Sequence, residues 1–291
     1  MQFPPDEADG WAVLHQMIQI DWQALSLIDA GEREQIVLGF SSLLTEHAKL
    51  SSNGQSAAFH LLGHKGPLCL IHFRPSFDLC AQIELDIFRL PLAKYLKIQD
   101  SFVSIIELGM YHVSKKIVEQ LQEQGLKPYS DEWNQAWEEK MKSHREALHE
   151  RCFCEIPDMR YFCFYPMNKR RGEKFNWYME SIQKRAEWMM EHGMTGRRFG
   201  GKVKQIISGA IGFDDWEWGV DLFTDDPIAI KRLVYEMRFD DASAMFGEFG
   251  EFYFGVRLTP SELSEYFSGK IPELSKYSTP VELKQGKGSS Y

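Results

Sequence analysis

The sequence predicts an α+β fold made of two βαββαβ units with antiparallel sheets, joined by a helical connector. Three observations carry this. Runs with a period of two alternate with runs of helical period; the order strand, helix, hairpin, helix, strand occurs twice; and corresponding elements recur about 149 residues apart, with first strands near 10 and 159 and hairpin turns near 64 and 213. The expected units are 8–114 and 151–258, with the connector at 115–150 and a polar tail at 259–291.

In the first unit, Gly10 to Ile20 is rich in β-branched and aromatic residues and reads as a strand. Asp29 to Leu50 carries helical spacing through Ile36, Val37, Phe40, Leu43 and Leu44. Ala57 to Phe73 is an apolar ribbon interrupted by Gly63, His64, Lys65 and Gly66, the pattern of a hairpin. A helix from about Phe77 to Leu96, bent or shortened by Pro91, and a strand from Phe102 to Val113 complete the unit. Lys115 to Glu150 is charged and Gln-rich, with Pro128 between two helical pieces, and reads as an inserted connector outside the core.

The second unit repeats the order. Arg160 to Pro166 alternates as a strand, and Asn176 to His192 has helical period with Gly193 placed to stop it. Val203 to Phe223 forms a hairpin turning at Asp214 and Asp215, with Trp216, Trp218, Val220 and Leu222 on one face. Asp226 and Pro227 take N-cap and first-turn positions of a helix, and Phe252 to Leu258 alternates as a last strand. The tail ends KQGKGSSY, a composition expected to be disordered.

Composition narrows the function. No apolar run approaches the roughly 18 to 20 residues of a membrane span, and MQFPPDEADG lacks the pattern of an export signal. Five cysteines (Cys69, Cys80, Cys152, Cys154, Cys163), with no CxxC pair, argue against a disulfide framework and for a reducing, cytoplasmic setting. The net charge is −9, which disfavours nucleic acid and acidic lipid, yet ten Lys and Arg face only four Glu between Tyr165 and Lys204. A local charge of +6 in an acidic chain suits either a small polyanionic ligand or a plain solvated face. Dinucleotide, Walker, GxSxG and HExxH motifs do not occur.

Among chemically able residues, His192 reads as a helix-end histidine, placed either to complement the helix dipole or to ligate a haem iron. Tyr165, in FYPMNKRR, reads either as a strand-end tyrosine or as a redox group beside the carboxylate-binding Lys169. His60, His64 and His72 fall on the first hairpin, where a four-residue gap does not gather ligands; His144 and His149 sit on the charged connector. Cys152 and Cys154 read as packing residues.

The blocks FYPMNKRRGEKFNWYM, EHGMTGRR, GKVKQIISGAIGFDDWEWGVDLF and LVYEMRFDDASAMFGEFGEF closely resemble the coproheme decarboxylases of the chlorite-dismutase-like superfamily, and GWAVLHQMIQIDW with FHLLGHKG resembles the N-terminal half of that family. The resemblance implies two ferredoxin-like subdomains with a β-barrel-like core in the manner of dimeric α/β barrels, ligand in the C-terminal one only, and a homopentamer. It implies His192 as axial ligand of the iron and Tyr165 as the redox-active tyrosine. The run Tyr165, Pro166, Met167, Asn168, Lys169 then contacts propionates, Lys169 positioning the second to react. Arg151, Gln205 and Ser243 match further contacts to porphyrin carboxylates or the distal face, with Arg197 and Arg238 as lesser candidates.

The implied activity is oxidative decarboxylation of two propionates of Fe-coproporphyrin III (coproheme) by hydrogen peroxide, giving haem b in the last step of coproporphyrin-dependent haem biosynthesis. Peroxide oxidises the iron, Tyr165 becomes a radical, and the radical takes a hydrogen atom from a propionate β-carbon before carbon dioxide leaves. A cytoplasmic enzyme meeting ferrochelatase transiently would follow. Two alternatives stand beside it: a haem peroxidase or chlorite-degrading enzyme, and a non-catalytic haem carrier. Gln205 stands where chlorite-degrading relatives have arginine, which speaks against the former; Tyr165 beside Lys169 speaks against the latter. Phe153 replaces a tyrosine frequent in the family, removing one hydroxyl.

Overall fold

The computed structural model describes residues 4–63 and 65–271; His64 of the first hairpin turn and the tail from 272 lie outside the described residues. The first unit runs β1 (Glu7–Ile20), a short α1 (Trp22–Leu27), α2 (Ala30–His47), β2 (Gln55–Leu61), β3 (Leu68–Arg74), α3 (Phe77–Phe88) and β4 (Leu96–Gly109). Asp29 starts α2 and Ser76 starts α3 by accepting amide hydrogen bonds, the usual way short polar side chains satisfy a helix's first donors. Pro91 opens a separate 3-10 turn, so regular helix stops at Phe88. Two helices follow, α4 (Tyr111–Glu123) and α5 (Asp131–Cys152).

The second unit runs β5 (Tyr161–Lys169), α6 (Ile182–Arg197), β6 (Lys204–Gly209), β7 (Trp218–Thr224), α7 (Pro227–Met237), α8 (Asp241–Phe246), β8 (Gly247–Phe249) and β9 (Tyr253–Leu258), followed by α9 (Leu263–Phe267). Asp226 caps α7 with Pro227 in its first turn, as its sequence predicts.

Strand pairing makes the duplication explicit. The first unit is ordered β4-β1-β3-β2 and the second β9-β5-β7-β6, the same order when each unit's strands are numbered from its own start. The two sheets join at two seams, β2 with β9 from Ala58↔Leu258 to Leu61↔Gly255, and β4 with β6 at Ile105↔Gly209 and Ile106↔Ser208. All pairings are antiparallel, and together they close the sheet into a ring with β8 added beside β9 along β5.

Inward-facing residues of both units fill the ring: Trp11, Val13 and Met17 from β1, Phe59 from β2, Phe162 and Phe164 from β5, and Phe223 from β7. Phe59 and Phe162 stack across a seam, with ring centroids 4.5 Å apart. Inside the same core His15 Nε2 meets Asp221 Oδ1 at 2.9 Å, a buried polar tie between the units. Outside the ring, α2, α3 and α9 cover the first unit with Phe40, Leu44, Ile83, Ile87 and Phe267.

Four expectations need correction. The strand placed at Phe102 to Val113 begins at Leu96 and ends at Gly109, because its first half is exposed and carries no apolar alternation. Gly193 does not stop α6, which continues to Arg197, so His192 is not at a helix end and the dipole argument for it lapses. The connector is not outside the core: Ile117, Val118, Leu121, Trp133 and Met141 are buried with Ala8, Met110 and Ile182. The polar tail begins with a packed turn, since Leu263, Tyr266 and Phe267 are buried.

Candidate active site

The two units treat their outer sheet faces differently. On the second, α7 packs Ala229, Ile230 and Leu233 onto the sheet, while α6 stands away from it and leaves a cleft of about 1420 Å³. Alternation along each strand decides which side chains form its floor: Tyr165, Met167 and Lys169 from β5, Trp218 and Val220 from β7, Gln205 and Ile207 from β6, and Glu107 from β4. Its roof is α6, through Met189, His192, Gly193 and Gly196. A Cβ added at Gly193 would meet nothing within 4 Å, so the helix is open there, whereas one at Gly196 would come within 3.1 Å of Met237 Cε on α7. Sequence reading takes Gly193 for punctuation, whereas the structure uses it as room.

His192 hangs from this roof. Its Nδ1 lies 2.9 Å from Asp240 Oδ2, and Asp240 is itself fixed as the N-cap of α8 by the Ser243 amide at 2.8 Å. Burial works to raise the Asp240 carboxyl, but the His192 hydrogen bond and charge and the two contacts from Ser243 outweigh it and hold the group below its ordinary value. In the neutral imidazole, an ionised Asp240 accepts the hydrogen bond from Nδ1–H and so fixes the tautomer in which Nε2 keeps its lone pair to face a metal. Sequence reading missed Asp240; its only local signal is an aspartate before a short helix, DDASA.

Tyr165 lies on the floor, 5% exposed, stacked on Phe252 with centroids 4.4 Å apart and edge-on to Phe249 at 5.9 Å. Burial pushes its phenol above the ordinary tyrosine range, so the O–H stays intact at neutral pH. Lys169, four residues on, is buried with its Nζ 3.2 Å from the Ala242 carbonyl and 4.8 Å from the Trp177 ring. Burial lowers it to about 8, against the pull of Asp240 and Glu217, so an anion entering the cleft meets an ammonium with few competing partners.

Other expected residues divide by the same alternation. Pro166 and Asn168 lie on the opposite face of β5 and do not line the cleft; Asn168 Oδ1 accepts the Glu217 amide at 2.7 Å and Pro166 packs near Gly250. Arg151, Gln205, Ser243, Arg197 and Arg238 all line it. Phe153 packs against Trp11 and His149 instead, with centroids 5.0 and 4.5 Å away. The basic island is less concentrated than its sequence suggests. Lys169, Arg197 and Lys204 line the cleft, while Arg170, Arg171, Lys184 and Arg198 pair with Glu248, Glu217, Glu180 and Glu236.

The open position at Gly193 on α6, a histidine whose outer nitrogen is anchored, and cations beside an apolar floor fit a flat, acidic metalloporphyrin held by its carboxylates. The fold and cleft thus define a duplicated α+β protein of the porphyrin-binding kind. The chain belongs to the chlorite dismutase family, whose model matches residues 33–258. It is 39% identical to a coproheme decarboxylase of Staphylococcus saprophyticus, covering 91% of this chain and 98% of that one. It is 35% identical to a haem-binding protein of Thermus thermophilus of known structure, with a TM-score of 0.77 over 92% of this chain and 100% of the other. A chlorite dismutase from Candidatus Nitrospira defluvii, solved as a single-site mutant, shares the fold at 15% identity and a TM-score of 0.66, over 89% of this chain and 96% of that one. Among the described residues no helix is long and apolar enough to cross a membrane.

Proposed function

We propose that this chain is a coproheme decarboxylase, converting two propionates of Fe-coproporphyrin III into vinyl groups with hydrogen peroxide and releasing haem b. Coproheme is at once substrate and redox centre, and the reaction closes coproporphyrin-dependent haem biosynthesis. The observation that carries the reading is the convergence of Tyr165, Lys169 and His192 on one cleft, with tyrosine and lysine on the floor and histidine on the roof. The N-terminal unit, filled on its outer face, carries no porphyrin.

Each residue has a separate duty. His192, its Nδ1 held by Asp240, presents Nε2 to the metal in a fixed orientation. A bound iron porphyrin would supply one-electron oxidising power drawn from peroxide. Tyr165, neutral and packed between aromatic rings, gives up a hydrogen atom, becomes a radical and takes one from the β-carbon of the adjacent propionate. Lys169 holds the carboxylate of the second propionate to react, while Arg151, Arg197, Arg238 and Ser243 hold the others; each charge-assisted hydrogen bond contributes about 1.5–3 kcal/mol. Gln205 gives the floor a neutral hydrogen-bonding group without a cation to retain an oxyanion such as chlorite. The reading extends to a cytoplasmic homopentamer that meets ferrochelatase transiently.

The test is Tyr165→Phe, loaded with iron-coproporphyrin, given peroxide and weighed by mass spectrometry. The ligand should bind and keep all four carboxyl groups; undiminished decarboxylation would remove Tyr165 from the mechanism.

A further inference from the structure

The cleft floor ends on β4 in a group that no duty above uses. Glu107 reaches across β6 to Trp218 on β7, whose Nε1 donates to Glu107 Oε1 at 2.7 Å. The crossing is possible because residue 209 is glycine: a Cβ there would lie 1.8 Å from Glu107 Oε2. On its other side lies β1, where Asp9 pairs directly with Glu107 and Glu7, opposite Gly109, falls two residues along on the same face; Glu7 and Glu107 both line the cleft. Carboxyl groups gathered on one face of a partly buried site resist ionising together, so one of them retains a proton. The pair is therefore a proton store set into the floor on which Gln205 and Tyr165 also stand.

The proposed reaction needs such a store. An ionised propionate, one hydrogen peroxide and one proton give a vinyl group, carbon dioxide and two waters. The propionate loses two electrons and its β-hydrogen, and the peroxide O–O bond is cleaved with both oxygens reduced to water. The balance leaves one proton to be supplied from outside the substrate at each round.

We propose that Glu107, paired with Glu7, holds this proton and delivers it to peroxide-derived oxygen leaving as water. The assignment rests on the decarboxylase reading. Burial, then the charge of Glu7, raise Glu107 to about 7, so the store is filled and emptied within the physiological range. Asp9 also raises it and the Trp218 hydrogen bond opposes it. The other charged and titratable groups around the pair are Asp6 on the chain before β1, which also raises Glu7 and is held by Arg145 of α5, Tyr111 of α4, and Arg185 of α6, which acts on Tyr111.

The experiment compares wild type with Glu107→Gln, which keeps an acceptor for Trp218 but holds no transferable acid proton. In the ligand-free protein, infrared difference spectra should show a protonated-carboxyl band at neutral pH that Glu107→Gln abolishes. Loaded with iron-coproporphyrin, the variant should bind normally while kcat falls about 10²-fold or more. Its kcat should also lose the decline that wild type shows as pH rises through about 7. Glu7→Gln removes the like charge and should move both the band's titration and the kcat decline to lower pH. A band untouched by Glu107→Gln, or decarboxylation at the wild-type rate with an unaltered pH profile, overturns the proposal. Wild type that consumes peroxide without losing any carboxyl group instead sinks the decarboxylase reading, and the proton demand with it.

Discussion

The two units share one strand order and place their first long helix in the same position, yet one is solid and the other hollow. Over the first, α2 presses Val37, Phe40 and Leu44 onto the sheet. Over the second, α6 offers His192, Gly193 and Gly196 and stands off. The difference lies in side-chain volume rather than topology: a duplicated fold supplies two equivalent faces, and which becomes a site depends on what the covering helix carries. The second unit bears the energetic cost, as it keeps a lysine with lowered basicity out of water and forgoes the contacts that Phe40 makes in the first.

Swapping volume should erase that contrast. Gly193→Leu points a side chain into open space, so the chain should fold with an unchanged or raised Tm, since leaving glycine stabilises a helix interior by about 0.5–1 kcal/mol. Iron-coproporphyrin binding, followed by Soret titration, should be abolished; retained binding would show that the ligand does not lie against α6. Phe40→Ala is the converse, hollowing the first unit, and should cost about 3–5 kcal/mol in denaturant unfolding without conferring porphyrin binding.

A finer test asks what Lys169 costs. Its folded value lies below the value of a free lysine, so between about 8 and the ordinary lysine range the unfolded chain binds more protons and stability rises with pH. Below about 8 the buried charge is a penalty. Lys169→Met should therefore stabilise the ligand-free protein at pH 7 by about 1–3 kcal/mol, with the gain shrinking above pH 8, while carboxylate binding weakens. A variant no more stable than wild type at pH 7 would show that the ammonium is better solvated than its burial implies. A last test is Asp240→Asn, which keeps the shape but replaces the anionic acceptor of His192 Nδ1–H with a neutral amide. Iron affinity should fall about 10–100-fold, with a shifted ferric spectrum and the porphyrin still held by its carboxylates.

Much of this was legible in the sequence where the signal is local. Asp226 with Pro227 marked a helix start, and alternation from Phe252 to Leu258 marked a strand, because caps and pleats are written within a few residues. The resemblance singled out Tyr165, Lys169, His192, Gln205 and Ser243, which the structure brings to one cleft. It could not separate Tyr165 from Pro166, since a contiguous motif hides the alternation that turns neighbours to opposite faces. Asp240 and the Glu7 with Glu107 pair stayed invisible because their meaning comes from partners 48, 100 and 111 residues away. Gly193 misled because one residue type serves both to end helices and to make room beside a ligand.

Closing the sheet through two seams has a consequence for how the gene can be divided. Each unit alone would carry two bare strand edges, β2 and β4 in one, β6 and β9 in the other, each a template for sticking to any unpaired strand. Fragments separated near residue 155 should thus be insoluble when made singly and should recover a native particle only when co-expressed, each serving as the chaperone of its sibling.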